Sequence, residues 1–246
     1  MKNYKMIISY DGSRYYGWEH QPGIDLTIQG KLENVISRMV GKETEVLGAG
    51  RTDAGVHALA MVAHAHFETD MTEEEIKSYI NQYLPDDICV TDLKVAGDRF
   101  HSRYNAKGKT YRYTCYIGDN KPIFDRKYVY YLDAIPDVEK MQKAAILLKG
   151  EHDFAAFCSN SKMKKSTVRL VDKIDIERNG SFITFTYHGT GFLQHMVRIL
   201  TGTLLEVGFD KRSVESIPSL IESRKRSEAG PTAPAQGLCL IQVDYS

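Results

Sequence analysis

Residues 48–58 read Gly-Ala-Gly-Arg-Thr-Asp-Ala-Gly-Val-His-Ala. A single carboxylate, Asp53, lies between Gly50 and Gly55, with Arg51 two residues before it and His57 four residues after. Glycine adopts positive φ without steric cost and lets a ligand approach the backbone. With no second Asp or Glu in the stretch, the acid suits a lone nucleophile or base better than a divalent-metal site. The same residues also suit a tight turn whose Asp side chain accepts from backbone amides. Taken alone, the loop leaves these two readings level.

The flanking chain is regular. Residues 59–67 read as a strand. Residues 28–40 read as a helix, with Thr27 as N-cap, an apolar stripe of Ile28, Leu32, Val35, Ile36 and Met39, and Gly41 at its end. Residues 4–10 are a strand stopped by Asp11-Gly12. A second helix spans 73–84, opened by a Thr72/Glu75 capping box and followed by Pro85, and 88–95 is extended. The order then recurs. A strand at 110–117 precedes a helix from Asp137 to Lys149. Strands at 170–177 and 181–188 are joined through Asn179-Gly180, a strong hairpin signal. A helix at 192–207 and a strand at 238–244 complete the chain. This recurrence predicts an α+β fold of two similar halves, 1–105 carrying the Asp53 loop and 106–246 carrying the rest, joined near 100–108.

The 246 residues are 42% apolar and 26% charged, with 32 basic against 32 acidic side chains. A neutral chain carries no global signal for a polyanion, so any nucleic-acid site must come from local clustering. The four cysteines, Cys89, Cys115, Cys158 and Cys239, have no metal or redox spacing, and a reduced, core-like role is expected. No run is long and apolar enough to span a bilayer, and the first residues lack the apolar stretch of a signal peptide, so a cytoplasmic location is expected.

The helix at 192–207 is apolar nearly all round, yet it contains Arg198. A buried guanidinium requires a carboxylate or several acceptors; otherwise it must snorkel at the helix edge. Asp53 is the candidate partner, and an adjacent cation favours the ionised carboxylate. In Tyr111-Arg112-Tyr113 the two tyrosines share one strand face and Arg112 takes the other. Such a ring can stack on a nucleobase or simply fill a core. Lys107, Lys109 and Arg112 lie beside it. Three further basic groups stand out: Arg99 with Arg103 around Phe100-His101; Lys162, Lys164, Lys165 and Arg169; and Arg224-Lys225-Arg226. His64 and His66 share a strand face, but no third metal ligand is evident nearby.

Several ordered motifs together resemble the tRNA pseudouridine synthase A family. They are Gly50-Arg51-Thr52-Asp53-Ala54-Gly55-Val56-His57-Ala58, Phe100-His101-Ser102-Arg103-Tyr104-Asn105-Ala106, Lys109-Thr110-Tyr111-Arg112-Tyr113, His152-Asp153-Phe154, Gly191-Phe192-Leu193-Gln194-His195-Met196-Val197-Arg198 with Gly202, and Thr232-Ala233-Pro234-Ala235-Gln236-Gly237-Leu238. Glu19 stands where the pattern leads one to expect glutamine. The resemblance covers the full length. It implies the pseudouridine synthase fold: two similar α/β halves around a continuous, mostly antiparallel sheet, with flanking helices and a central cleft. It also implies isomerisation of uridine to pseudouridine in the tRNA anticodon arm, at positions 38, 39 or 40, by a cytoplasmic homodimer that uses no cofactor and no metal. A catalytically silent RNA-binding paralogue is the alternative. Under the resemblance Asp53 is the nucleophile, Arg198 pairs with it, Tyr111 stacks on the target base, and Arg51 fills the space that base leaves. His57, Arg103 and Lys109 are expected among the substrate-binding residues.

Overall fold

The computed structural model describes residues 1–160 and 162–246. In chain order its elements are β1 (Lys2–Tyr10), α1 (Ile28–Val40), β2 (Leu47–Gly48), β3 (His57–Phe67), α2 (Glu73–Tyr83), β4 (Ile88–Ala96), β5 (Gly108–Ile117), β6 (Tyr130–Leu132), α3 (Val138–Leu148), β7 (Gly150–Asp153), β8 (Val168–Asn179), β9 (Phe182–Gly189), α4 (Met196–Gly208), α5 (Ile217–Ser223) and β10 (Leu238–Asp244). The expected α+β class holds. The chain forms two compact units, Met1–Lys107 with Cys239–Ser246, and Gly108–Leu238.

In the first unit β1 lies between β3 and β4 and is antiparallel to both. Its even-numbered residues Tyr4, Met6, Ile8 and Tyr10 are buried, the period of a half-buried strand. β10 runs parallel to β3, with Cys239 opposite His57 and Leu240 opposite Ala58. α1 and α2 form where their end signals predict. The Thr27 hydroxyl accepts from Gly30 N–H, and Gly41 closes α1 at φ 69°. The Thr72/Glu75 capping box is made in full. β2 pairs antiparallel with β3, Gly48 opposite Ala63, so residues 49–56 are the connection between two paired strands.

In the second unit β9 lies between β5 and β8, antiparallel to both, and β7 pairs with β8. Tyr111, Tyr113, Cys115 and Ile117 of β5 face the core, as do Ile183, Phe185 and Tyr187 of β9. Two expectations need correction. The hairpin turn is Gly180-Ser181 and not Asn179-Gly180, because Asn179 pairs with Phe182. Gly180 has φ 58° and Ser181 is not among the positive-φ residues, the pattern of a II′ turn. The last long helix begins at Met196 rather than 192, because His195 takes a left-handed φ of 60° and breaks the helical path before it. All four cysteines are free; Cys115 and Cys158 are buried, whereas Cys89 is exposed.

α4 is the buried spine of this unit. Thr201 and Thr203, both fully buried, return their hydroxyls to the carbonyls of Val197 and Ile199. Residues 230–233 cross the helix at backbone contact: a Cβ on Gly202 would lie 1.8 Å from the Pro231 carbonyl oxygen. In an ordinary helix Gly→Ala gains about 1 kcal/mol. Here that gain opposes an overpacking cost of about 1–3 kcal/mol or more, since backbone must move to admit the methyl. Gly202→Ala is therefore expected to lower the urea unfolding midpoint of the protein; an unchanged or raised midpoint would show that the crossing is not tight.

Candidate active site

The Asp53 loop is held by a strap formed by residues 10–18. Trp18 N–H donates to the Thr52 carbonyl at 3.1 Å, and Gly55 N–H donates to the Tyr15 carbonyl at 3.3 Å. The hydroxyls of Tyr10 and Thr52 meet at 2.8 Å in the interior. The strap lies so close that a Cβ on Gly17 would stand 2.6 Å from Thr52 O, and one on Gly12 2.0 Å from Val56 O. Gly17 also has φ 97°, a region that disfavours any side chain. Within the loop, Val56 N–H returns to the Asp53 carbonyl at 3.1 Å, and Gly55 has φ 79°. The turn reading and the site reading are thus compatible. The turn is closed by the main-chain carbonyl of Asp53, whose side chain is half-buried.

Neighbouring candidates have separate tasks. His57 is 5% exposed, and its Nδ1 lies 3.1 Å from Gly12 N–H and 3.2 Å from Asp11 Oδ1. In this structure it braces the strap against β3. Arg51 is exposed and pairs with Glu19 at 2.9 Å, which gives the departure at position 19 a structural partner. Arg103 is exposed on the turn before β5. The signals for the strap in the sequence are Gly12, which also stops the first strand, and Gly17.

In the second unit, Lys109 and Tyr111 lie on β5, and Arg198 lies on the first turn of α4. Tyr111 is 8% exposed, with its ring edge-to-face against Phe192 at 5.3 Å. Tyr113 is fully buried; its hydroxyl donates to Pro234 O at 2.8 Å, and Gly237 lies against its ring, where a Cβ would come within 2.6 Å. Burial pushes its phenol well above the ordinary range. Arg198 is half-buried, between the two extremes considered from sequence. Its Nε donates to the Ala233 carbonyl at 2.7 Å, and Ala233 N–H donates back to the Arg198 carbonyl at 3.1 Å. The main-chain bond ties residue 233 to α4, and the Nε bond tethers the guanidinium, a planar group suited to paired contacts with a carboxylate.

The basic groups divide. Lys162, Lys164 and Lys165 are exposed; Ser161, inside that segment, lies outside the described residues. Arg169 donates to the carbonyls of Ser166 and Val168. In the group at 224–226, Arg224 and Lys225 are exposed and Arg226 is half-buried. Arg224 pairs with Asp153 at 3.1 Å, Lys225 pairs with Glu228 at 3.2 Å, and Arg226 donates to Ala229 O, Gly230 O and the Thr232 hydroxyl.

A family model described as tRNA pseudouridine synthase matches residues 6–105 and 144–246. Among curated proteins, the chain is 46% identical over 245 residues to the tRNA pseudouridine synthase A of Bacillus sp. (strain KSM-64), and 44% identical to tRNA pseudouridine synthase A 2 of Bacillus anthracis. It is 41% identical to the tRNA pseudouridine synthase A of Clostridium kluyveri. Each match covers 100% of both chains. A solved chain titled "Crystal Structure of a Cbf5-Nop10-Gar1 Complex" overlaps with a TM-score of 0.39 at 13% identity, over 96% of this chain and 48% of that one, too loosely to bear on the fold.

His64 and His66 lie near one another, ring centroids 5.6 Å apart, but among the described residues no group of three or more His, Cys, Asp or Glu could hold a metal ion. His64 is buried, and its Nδ1 accepts from the Ser102 amide at 3.2 Å and lies 3.0 Å from the Ser102 hydroxyl. Burial first, then the neighbouring His101 and His66, push its pKa down to about 4 from 6.5. The native ring is therefore neutral, while the unfolded chain takes up a proton between those two values. Stability must fall as pH drops through that window, and the contribution is complete above it. Urea midpoints measured from pH 6.5 down to 4 are expected to fall more steeply for the parent than for His64→Asn; parallel slopes would remove His64 as the cause.

Proposed function

We propose, for a chain that belongs to the tRNA pseudouridine synthase family, that Asp53 is the nucleophile, Arg198 its cationic partner and Tyr111 the residue that meets the target base. The protein is an isomerase that converts uridine to pseudouridine in tRNA. In that conversion the N1–C1′ bond breaks and a C5–C1′ bond forms. The proton on C5 is lost and N1 gains one, so no atom is added and no electron changes hands. A carboxylate starts the sequence by adding to C1′ of the ribose or to C6 of the uracil.

The observation that carries the assignment is the half-buried Asp53 side chain on a loop whose backbone is clamped by Trp18 and Tyr15 and whose Thr52 hydroxyl is held by Tyr10. A nucleophile gains from a position set before substrate arrives. Arg198, with its Nε held by the Ala233 carbonyl, is suited to pair with a carboxylate. Tyr111, with little exposed area, suits contact with one base rather than with an extended surface. Extruding a base from a helix costs a few kcal/mol, which a side chain entering the gap offsets. Arg51 fits that role, since its ion pair with Glu19 is exposed on both sides and contributes little to stability.

The relatives' names give tRNA as the substrate. The anticodon arm and its positions 38 to 40, a homodimeric assembly and a cytoplasmic location follow from the motif resemblance. No described helix is long and apolar enough to cross a membrane.

Release of tritium from C5-tritiated uridine in tRNA tests the assignment. Asp53→Asn is expected to release none while binding tRNA as the parent does; normal turnover would end the nucleophile assignment. Tyr111→Phe is expected to lose rate more than affinity, and a loss of affinity alone would reduce Tyr111 to a stacking surface.

A further inference from the structure

Residues 101–105 form a locked turn in the first unit. His101 N–H donates to Asn105 Oδ1 at 2.6 Å, and Asn105 N–H returns to the His101 carbonyl at 3.0 Å. Nδ1 of His101 accepts from Arg103 N–H at 3.1 Å, which fixes the ring. Ser102, fully buried, anchors the turn from below: its hydroxyl donates to Leu47 O at 2.6 Å, and its carbonyl accepts the Tyr245 hydroxyl at 2.7 Å.

This frame supports a row of rings. Buried His64 lies 4.6 Å from His101, and His101 lies 4.2 Å from Tyr104 at an interplanar angle of 37°. The row ends at the surface, where Tyr104 is 79% exposed. Isolated exposed aromatics are common and require no explanation. Tyr104 differs in being carried on a locked turn and backed by a second ring that is itself backed by a third. Such a ring loses little freedom when a ligand lands on its outer side. Arg99 and Arg103, both exposed, flank the turn with positive charge. A rigid aromatic surface beside cations matches an unpaired nucleobase and its phosphates.

We infer that Tyr104, backed by His101, is a stacking platform for an unpaired base of the RNA substrate, with Arg103 and Arg99 contacting adjacent phosphates. The inference rests on tRNA being the substrate and adds a contact distinct from Tyr111 at the target base. Because stacking uses the π-face, the platform accepts any base.

The test is the affinity of unmodified tRNA at one fixed salt concentration for the parent, Tyr104→Phe, Tyr104→Trp and Tyr104→Ala. Removing the ring is expected to weaken binding by about five- to hundred-fold, the usual range for one base stacked on an aromatic ring. Phe and Trp are expected to stay close to the parent. The chain has a single tryptophan, Trp18, which is 2% exposed. Tyr104→Trp therefore adds an exposed indole, whose fluorescence is expected to be quenched when tRNA binds. Parental affinity in Tyr104→Ala would overturn the inference, as would equal losses in Tyr104→Phe and Tyr104→Ala, or unquenched fluorescence at saturating tRNA. A loss of affinity that followed a change in sedimentation would overturn it too and assign the ring to a protein interface. The parent's own affinity for tRNA reports on the functional reading; the ratio of Tyr104→Ala to parent reports on the platform.

Discussion

Thr52 is the fixed point of the Asp53 loop. Its carbonyl accepts Trp18 N–H, its hydroxyl meets Tyr10, and the strap that delivers both approaches so closely that Gly17 has no room for a methyl group. Each hydrogen bond contributes only about 1 kcal/mol net, but leaving a buried partner unmatched costs about 1–3 kcal/mol. The constraint therefore acts less through the strength of any contact than through the absence of an alternative. With Thr52 immobile, Asp53 has one backbone position, and the Val56-to-Asp53 turn sets the direction in which its side chain leaves the loop.

The second unit solves a parallel problem with different parts. Arg198 stands on a helix whose other residues, Glu206 apart, are buried, and the main chain of residues 230–233 lies across that helix. Gly202 and Gly230 make the approach possible, and the two hydrogen bonds between Arg198 and Ala233 make it specific. Gly237 continues the same segment against the ring of Tyr113, two residues from Tyr111 on the same face of β5. In both units a charged residue is oriented by main chain packed on main chain, which tolerates no added methyl. Side chains packed on side chains would give such charges more latitude.

Local signals in the sequence proved dependable where the physics is local. Thr27, Thr72 and Asp137 cap the helices they were expected to cap, because a cap is satisfied within three residues. Strand alternation placed Tyr111 and Tyr113 on one face of β5, and both are buried. Errors arose where a local preference met a distant demand. Asn179-Gly180 is a good turn, but the pairing of Asn179 with Phe182 moves the loop by one residue. His195 adopts a left-handed conformation that its type does not favour, and its ring bonds the Ser159 hydroxyl at 2.8 Å, a partner that no window around residue 195 contains. Of the cations at 224–226, Arg224 and Lys225 are exposed as a surface patch requires, whereas Arg226 bonds three oxygens of the segment that follows it. His57 belonged to the motif, and its bond to Gly12 could not be seen from the loop itself.

The sequence by itself determined the four long helices and the seven longer strands with most of their limits, though not the short β2, β6, β7 and α5, together with the lone carboxylate in a glycine-framed loop and the arginine in an apolar helix. These follow from periodicity, caps and the cost of burying charge, which depend on residues a few positions apart. Tertiary structure alone decided that the final strand, Leu238–Asp244, returns to run parallel to β3, that the strap of residues 10–18 clamps Thr52, and that Ala233 orients Arg198. Such contacts join residues tens to hundreds of positions apart. A backbone amide or carbonyl is chemically the same at every residue, so nothing in its own sequence neighbourhood identifies the partner it will meet.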